Sequence, residues 1–487
     1  LPILLVFGGL MGLAVERVPK QEAVDSREPE GIQKVETSQA SELFIGASSQ
    51  DITPPLPVAL GGQFHLRVAE TIESPVTANV IVLERRDVNG TEETSVWVSA
   101  DLVIIPEELT YMVREKVREK LPELDSQKII INATHTHTAP VVGVFDYHIP
   151  EGVTTLEETL EFITDQILKG IEEAWDSRVA GSVSWGLGHA KVAYNRRAVY
   201  YDGSARMYGR TDLPEFRGLE GYEDNDVQAL FFWNDRDQLL ATTVNVSGPS
   251  QQVAGRSAVN ADYWHPVRER LQRRFGRDLV VLGWTGAAGD QSPRPMYGNA
   301  GEERMIRLRN LDRLEELGRR IAVAVEDIYE VVEADRYRDV ELVHEVKTLE
   351  LPRRVVDLKS LNEAKNIVEE IQSDPEARIA RHAAMRWQQD VIDRYERQQE
   401  APYETLDIEV HLLRLGEIAI ATNPFELYTE YGVRMKARSP ALQTFVVQLV
   451  GPPHTYLPTM KAIRGGHYSA IIPSNEVGPE AGDVLVE

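Results

Sequence analysis

Two histidines stand two residues apart, at positions 135 and 137, in the stretch NATHTHTAP. This stretch follows the apolar run KIII, which is typical of a short buried strand. Side chains at positions i and i+2 of an extended segment point to the same side, so His135 and His137 can converge on one point. Because neutral imidazole is the commonest metal ligand, the pair predicts a metal site. A polar loop with no chemical role is the alternative.

Two further stretches place reactive side chains directly after apolar runs. The stretch GWTGAAGDQSPRP holds Asp290 and Ser292 among small residues, which let the backbone approach a ligand closely. Ser292 is a candidate nucleophile or hydrogen-bond donor, although a tight turn capped by Ser292 explains the same residues. The stretch NPFELYTEYG holds Glu426, whose carboxylate could face the same sheet edge as the histidines. A glutamate near a helix N-terminus is also common for dipole reasons.

Arginine and tyrosine alternate in YNRRAVYYDGSARMYGR, which spans residues 194–210. Arginine binds carboxylate or phosphate and tyrosine rings pack on sugar faces, so this stretch predicts a polar, anionic or sugar-bearing ligand. An exposed loop would show the same composition. Near the end of the chain, Tyr456 and Tyr468 stand beside His454 and His467. A tyrosine between a strand and a proline indicates a loop that faces a cavity.

The composition of the 487-residue chain limits the class of protein and of metal site. Hydrophobic residues make up 42% and charged residues 26%, as in an ordinary soluble globular protein. The net charge of −25 argues against nucleic acid or an anionic membrane as the main partner. There is no cysteine, so a metal would have to be held by histidine, carboxylate or tyrosine oxygen.

The N-terminal stretch LPILLVFGGLMGLAV is apolar over about the length of a signal-peptide core and is short for a membrane span. We predict a signal-peptide remnant at residues 1–16 and a disordered linker at 17–43. A single catalytic domain is then expected at 44–487. The alternative for the first stretch is a buried strand or helix. These assignments predict an exported protein, located in the periplasm, outside the cell or at its surface.

The elements that must position these residues have the pattern of an α/β fold. The stretches TANVIVLERRD, SVWVSADLVII and KIIINATHTHT predict three strands, and PEELTYMVREKVREKL predicts a helix between the second and third. A strand–helix–strand unit favours a parallel pair with loops at its carboxyl end. We therefore predict mixed, partly parallel sheets with flanking helices. The charged stretch 358–400 predicts a peripheral helical insertion, either a lid or a solvated charged face.

Together these segments resemble the neutral (non-lysosomal) ceramidase family, in the same order and from about residue 44 onward. The resemblance covers the catalytic domain and rests on many short motifs. These are DIT at 51–53, SADL at 99–102, THTH at 134–137 before a small residue and proline, NR at 195–196, GD-x-SP at 289–293, P-x-E at 424–426, and the tyrosines at 456 and 468 that flank the last glycine-rich loop.

Members of that family are zinc amidases that cleave the N-acyl bond of ceramide, so the resemblance implies one zinc ion and a sphingolipid substrate. It implies zinc ligands at His135, Glu426 and Tyr456. The predicted catalytic residues around the reacting amide are His137, Arg196, Tyr468, Ser292 and Asp290. We add four candidate substrate-binding residues from the arginine- and tyrosine-rich stretch, Tyr194, Arg197, Arg206 and Tyr208.

One departure from the family concerns a zinc ligand. The family has a second zinc histidine in a strand-end His-Pro pair, whereas this chain has Gly248 before Pro249. A catalytic zinc usually keeps three protein ligands and an open position. Candidate replacements for the missing ligand are His137, Asp101, Asp262 and His265.

Three functions are consistent with the sequence. The first is a metal-dependent hydrolase that cleaves an N-acyl amide bond with metal-activated water, and it expects an apolar channel. The second is the same fold acting as a hydrolase or lyase on a polar, carbohydrate-like substrate, and it expects a polar cleft. The third is a non-catalytic binding protein. The expected partner is a small-molecule, lipid or glycan substrate, with neither nucleic acid nor a stable membrane span; the oligomeric state is left open.

Overall fold

Apolar strands and amphipathic helices follow each other closely along the chain. The computed structural model describes residues 41–87, 89–143 and 147–487. The predicted signal-peptide remnant and nearly all of the predicted linker lie outside these residues. The last linker positions belong to the first strand, which begins at Glu42.

The described residues form twenty-one strands. In chain order they are β1 (Glu42–Asp51), β2 (Val58–Leu60), β3 (Arg67–Ala69), β4 (Thr77–Asp87), β5 (Gly90–Ala100), β6 (Ile129–Ala133), β7 (Val179–His189), β8 (Tyr194–Asn195), β9 (Arg197–Tyr200), β10 (Ala205–Met207), β11 (Phe216–Leu219), β12 (Asp226–Asn234), β13 (Leu239–Val246), β14 (Val280–Thr285), β15 (Gln291–Ser292), β16 (Leu342–Pro352), β17 (Thr405–Leu415), β18 (Ile418–Thr422), β19 (Glu426–Leu427), β20 (Gln443–Val447) and β21 (Tyr456–Leu457).

The described residues also form eleven α-helices. They are α1 (Glu107–Lys120), α2 (Leu156–Asp176), α3 (Trp264–Phe275), α4 (Asn299–Arg309), α5 (Arg313–Val332), α6 (Leu358–Ser373), α7 (Pro375–Ala380), α8 (His382–Glu400), α9 (Thr429–Arg438), α10 (Met460–Gly465) and α11 (Pro479–Val486).

Two mixed sheets form the centre of the fold. One has eight strands in the order β14-β13-β12-β7-β1-β4-β5-β6, and the other has four in the order β16-β17-β18-β20. The pairs β5/β6, β13/β14 and β18/β20 are parallel, and the other pairs in these two sheets are antiparallel. The predicted strand–helix–strand unit is β5–α1–β6. The predicted fold class, mixed and partly parallel sheets with flanking helices, is therefore confirmed.

The core lies in layers because each sheet buries both faces. Apolar residues of the large sheet pack against α1 and α2 on one part of its outer face and against α3 and α5 on another. Its inner face packs on the four-stranded sheet, where the Trp97 and Trp284 rings lie 4.5 Å apart and Phe445 contacts Trp284. Helices α9 and α11 cover the far side of the small sheet.

The loops after the parallel strands meet at one edge of the two sheets. Carboxyl ends of parallel strands are where α/β folds place ligand-binding loops. Backbone hydrogen bonds join these loops to one another, namely Ala133 N to Leu449 O (3.1 Å), Gln448 N to Thr285 O (2.9 Å) and Gly289 N to Leu427 O (2.8 Å). The loops that carry His135, Ser292, Glu426 and Tyr456 are thereby held together.

The stretch at 358–400 consists of the helices α6, α7 and α8. It has a small core of its own, in which Val368 and Val391 pack with Ile472 of the C-terminal segment. Among the described residues, no helix is both long enough and apolar enough to cross a membrane.

Candidate active site

A cavity of about 470 Å³ lies where these loops meet. A volume of this size suits a drug-sized ligand. Its walls combine side chains from the loops after β6, β18 and β20 with others from the 62–64 segment, from α8 and from the C-terminal segment. Polar members of the lining are Gln63, His135, His137, Arg386, Asp390, Glu426, Thr455, Tyr456, Tyr468, Ser474 and Glu476.

His135 is fixed by the backbone of a neighbouring loop. β6 ends at Ala133, and His135 has a left-handed backbone with φ of 67°. Its Nδ1 lies 2.7 Å from the carbonyl oxygen of Val103. A carbonyl can only accept, so Nδ1 carries a proton and Nε2 is the ring nitrogen left for another partner. This arrangement is typical of a histidine prepared to bind a metal ion through Nε2.

His137 meets His135 inside the cavity. Their Nε2 atoms are 3.3 Å apart, and the His137 Nε2 is also 2.8 Å from the side-chain nitrogen of Gln251. Burial lowers the pKa of His137 well below its usual value, and the charges of His135, Arg67 and Arg196 act in the same direction. His137 is therefore a neutral imidazole that can bind a metal ion or accept a proton.

Glu426 and Tyr456 are neighbours across a parallel bridge, since they pair directly in β19 and β21. Glu426 Oε2 lies 3.4 Å from His135 Nε2. Burial acts to raise the pKa of Glu426, but His135 and Arg196 outweigh it and the net shift is downward. Burial and the Glu426 charge raise the pKa of Tyr456 well above its usual value. The pair thus presents a carboxylate beside a protonated phenol.

Gly289 allows this bridge to form. A Cβ atom at position 289 would lie 2.2 Å from the carbonyl oxygen of Glu426. The small residues of the GWTGAAGD stretch therefore leave room for the backbone of β19. The sequence analysis predicted that they leave room for a ligand.

Arg196 lies behind Glu426 and Tyr456 and contacts both through one end of its guanidinium. Its Nη2 donates to Gly289 O (2.9 Å) and to the Tyr456 hydroxyl (3.1 Å), and it lies 4.0 Å from Glu426 Oε2. Burial acts to lower the pKa of Arg196, but the Tyr456 and Tyr208 oxygens and the Glu426 carboxylate raise it well above its usual value. Arg196 is a permanent cation next to the carboxylate.

Ser292 and Tyr468 take different places around this centre. Tyr208 donates to Ser292 Oγ at 3.1 Å, and the Arg294 backbone N–H donates to the same oxygen at 3.2 Å. Both lone pairs of Ser292 are thus occupied, which suits a hydroxyl donor better than a nucleophile. Tyr468 lines the cavity with its ring 5.6 Å from that of Tyr456. Burial raises the pKa of Tyr468 to about 12.

Arg196, Ser292 and Tyr208 lie outside the cavity lining, and four other predicted site residues also do not line the cavity. Asp290 accepts from Asn195 Nδ2 (2.8 Å) and Thr429 Oγ1 (2.7 Å) and so joins two loops. Arg197 is fully buried, pairs with Glu220 at 2.7 Å and donates to carbonyls of the 462–468 loop. The remaining two are Tyr194, whose hydroxyl contacts Glu302, and Arg206, which is exposed. Of the four substrate-binding predictions, only Tyr208 contacts the Arg196 and Ser292 cluster.

The candidate replacements for the missing zinc histidine are also separated by the structure. Asp101 forms a bidentate, buried ion pair with Arg268, and Asp262 accepts backbone hydrogen bonds at 2.8 Å. His265 lies half-exposed on α3 near Glu269. His137 alone of the four candidates lies beside His135.

The donors at the cavity fit a metal ion in part. In a tetrahedral zinc site, two ligand atoms at ordinary zinc–ligand distances lie about 3.4 Å from each other. The separations of His135 Nε2 from His137 Nε2 (3.3 Å) and from Glu426 Oε2 (3.4 Å) match this spacing. Among the residues of 41–487 that the structure describes, however, no group of three or more His, Asp or Glu is arranged to hold a metal. If His135 and Glu426 are two of the ligands, the third would have to be Tyr456, or His137 after a change in its position.

Position 248 itself faces away from these donors. A Cβ built on Gly248 would lie 3.0 Å from Val192 Cγ1 and 3.3 Å from Ala193 Cβ. The side chain nearest to His137 on this loop is instead Gln251, which the sequence reasoning missed. A glutamine in the sequence does not by itself indicate a site residue. Only the path of the loop between 248 and 251 brings the Gln251 side chain to His137.

Similar proteins are found among solved structures, and not among protein-family models or curated proteins. No protein-family model matches the chain, and no curated protein matches it. The neutral ceramidase from Pseudomonas aeruginosa superposes with a TM-score of 0.65 at 17% identity, over 91% of this chain and 73% of that one. The chain has the fold of the neutral ceramidases.

A second solved structure with this fold, a ceramidase complexed with C2, gives a TM-score of 0.64 at 16% identity. It covers 91% of this chain and 74% of the ceramidase. The neutral ceramidase fold therefore extends over nearly the whole chain, as the resemblance predicted. At such low identity the similarity establishes the fold alone.

Proposed function

We propose that this chain with the neutral ceramidase fold is a hydrolase that cleaves an N-acyl amide bond. The observation that supports it most directly is the contact of four side chains at the cavity. Glu426 lies within 3.4 Å of His135 and 4.0 Å of Arg196, and Arg196 donates to Tyr456. Convergence of a carboxylate, an imidazole, a guanidinium and a phenol is suited to acyl transfer.

The chain's own residues supply the acid, base and charge-stabilising groups. Arg196 is a fixed cation that stabilises negative charge developing on the amide oxygen. His137 lies in the cavity beside His135 and is the imidazole placed to accept a proton from the attacking water, although burial weakens it as a base. Tyr468 stays protonated at neutral pH and can donate a proton to the leaving nitrogen. As the C–N bond breaks, a C–O bond forms, and the products are a carboxylic acid and an amine.

The proposal includes a zinc ion, because the similarity of the fold to ceramidases suggests a metal-assisted reaction. His135, Glu426 and Tyr456 would hold the ion, with His137 the nearest side chain able to replace the missing histidine. Zinc there would supply a Lewis acid and lower the pKa of water. The same fold also suggests export and a lipid-like substrate for this chain, and both remain proposals.

A second candidate is supported by the walls of the cavity. Asp390, Glu476 and Arg386 line it together with apolar residues such as Val103 and Leu449. A purely apolar channel for a lipid chain would not include these charges. A polar, carbohydrate-like substrate therefore competes with ceramide, and the same cluster could serve a hydrolase or a lyase.

Release of amine from a panel of amides tests the proposal. The purified protein is incubated with N-acetylsphingosine, with long-chain ceramide and with N-acetylated amino sugars, and primary amine is measured by mass spectrometry. We expect amine from at least one class and a loss of about 100-fold or more in Glu426→Gln. The matched control Glu430→Gln changes a nearby half-buried glutamate outside the cavity. Absence of amine from every amide would contradict the proposal.

A further inference from the structure

One face of helix α8 forms part of the cavity wall. Ala383, Arg386, Trp387 and Asp390 follow the i, i+3, i+4, i+7 spacing that places residues on one side of a helix, and all four line the cavity. An adjoining side of α8 packs through Val391 and Ile392 into the core of the insertion. The stretch predicted as a lid or a solvated face thus contributes a defined surface to the candidate site.

Trp387 belongs to a continuous aromatic wall made from three separate segments. Its ring centroid lies 5.2 Å from that of Phe64 and 6.0 Å from that of Tyr468, and Phe64 lies 6.2 Å from Tyr468. Rings at these distances contact one another directly. The ring planes are inclined to one another by 53° (Phe64 and Trp387), 43° (Trp387 and Tyr468) and 85° (Phe64 and Tyr468), so the three rings form an angled wall of directly contacting rings with no room for a cation between them.

Charged groups stand beside this wall. Glu476 lines the cavity and is held by His454 at 3.2 Å and Arg353 at 3.7 Å. Burial acts to raise the pKa of Glu476, but His454 and the arginines outweigh it and keep the carboxylate ionised. Asp390 adds a second carboxylate. An alkyl chain covering these groups would remove water from them without replacing its hydrogen bonds, which is costly.

A pyranose ring satisfies both kinds of surface. Its C–H face packs on aromatic rings, and the hydroxyl groups at its edge donate hydrogen bonds to carboxylates. Tyr468 connects the wall to the reacting centre, because it contacts Trp387 on one side and Tyr456 on the other. A sugar on the wall would therefore hold its substituent next to Tyr456, Glu426 and His135.

We propose that Trp387, Phe64 and Tyr468 form a sugar subsite, and that the substrate is an amino sugar whose nitrogen carries the acyl group. This inference rests on the proposed amide hydrolysis and specifies its substrate class. The ring packs against Trp387, Asp390 and Glu476 accept from its hydroxyls, and the N-acyl group points to the catalytic cluster.

Binding of simple sugars tests the subsite independently of catalysis. The chain has seven tryptophans, and Trp387 is more exposed than the other six, of which the most exposed is Trp185 at 8%. N-acetylglucosamine and its β-1,4-linked disaccharide should therefore change the intrinsic fluorescence saturably. Isothermal titration calorimetry should show affinity about tenfold lower or worse in Trp387→Ala. Trp387→Phe, which keeps a smaller ring, should lie between that variant and the wild type.

Tyr111→Ala is the matched control, since Tyr111 is an exposed aromatic on helix α1 outside the cavity. It should bind the sugars as the wild type does. The subsite is overturned if neither sugar binds, or if N-acetylsphingosine gives the Trp387-dependent signal in their place. Amine release with no sugar binding would remove the subsite and leave the hydrolase. Trp387-dependent sugar binding with no amide cleavage would remove the hydrolase and leave the subsite.

Discussion

The Nε2 atoms of His135 and His137 lie 3.3 Å apart although the backbone at His135 is left-handed rather than extended. In an extended segment, residues i and i+2 would point the same way without further help. Here the convergence depends on hydrogen bonds to neighbouring loops, above all that of His135 Nδ1 to Val103 O. The pair is therefore a product of tertiary packing, and changes in the surrounding loops should disturb it.

Gly62 is the first place to test this dependence. It has φ of 93°, and a Cβ there would lie 2.5 Å from Cγ of the His137 ring. Gly62→Ala should displace His137, lower kcat/KM by about 100-fold and destabilise the fold by about 1–3 kcal/mol. The control is Gly255→Ala, since Gly255 has nothing within 4 Å of its added Cβ. Equal activity in the two variants would show that the His137 position is unimportant.

The missing zinc ligand gives a second prediction, measured as zinc affinity by competition with a chelator. Gln251→His places an imidazole where the Gln251 amide now contacts His137 at 2.8 Å, so zinc affinity should rise by about tenfold or more. Gly248→His places a histidine where the resemblance to ceramidases predicts one, but its Cβ would lie 3.0 Å from Val192 Cγ1. It should leave zinc affinity unchanged or lower it. Tighter zinc binding by Gly248→His than by Gln251→His would contradict this assignment.

Asn475 is expected to position both cavity tyrosines. It is fully buried, and its Nδ2 donates to Tyr456 O at 3.1 Å and to Ser469 O at 3.0 Å. Asn475→Ala should lower kcat by about tenfold or more and the free energy of unfolding by about 1–3 kcal/mol. Asn366→Ala, at an exposed position on α6, is the control. A stability loss with normal kcat would assign Asn475 a purely structural role.

Much of the fold could be predicted because its elements have clear periodicity. The run at 129–133 is buried throughout, as expected of a strand covered on both faces, and α1 follows the predicted helical pattern. The resemblance to ceramidases also placed His135, Glu426 and Tyr456 in one group. Pairing of β19 with β21 could not be predicted, because two-residue strands leave no periodic signal.

The site was harder to predict where side chains of one stretch diverge. Arg196 reaches Glu426, whereas the adjacent Arg197 points to the opposite side and holds the 462–468 loop. A run of arginines and tyrosines cannot show which members face a cavity. Similarly, the spacing of Arg386, Trp387 and Asp390 marks a helix face, but only tertiary structure shows that this face lines a cavity rather than meeting solvent.

Acid should destabilise the fold through a buried histidine pair between β16 and β17. His344 Nε2 lies 3.0 Å from His411 Nδ1, and burial with nearby His411, Lys128 and Arg114 lowers the pKa of His344 to about 3. Between pH 6.5 and 3 the unfolded chain binds a proton at His344 that the folded chain does not. The stability contribution is complete above pH 6.5 and is lost progressively as the pH falls.

Chemical denaturation of the wild type and His344→Gln between pH 7 and pH 4 measures this effect. The free energy of unfolding of the wild type should fall with acid by up to about 1.4 kcal/mol more per pH unit than that of the variant. His65→Gln, at an exposed position, should keep the wild-type slope. Parallel curves for wild type and His344→Gln would mean that His344 is protonated equally in the folded and unfolded states.

Hydrolysis in water enriched in oxygen-18 tests the central claim most directly. Amide cleavage by water must place one labelled oxygen in the released carboxylic acid and free the amine. We predict this single label for the wild type and loss of both products in His135→Ala. An unlabelled acid, or an unsaturated product in place of acid and amine, would contradict the assignment of the His135, Glu426 and Arg196 cluster as an amide hydrolase.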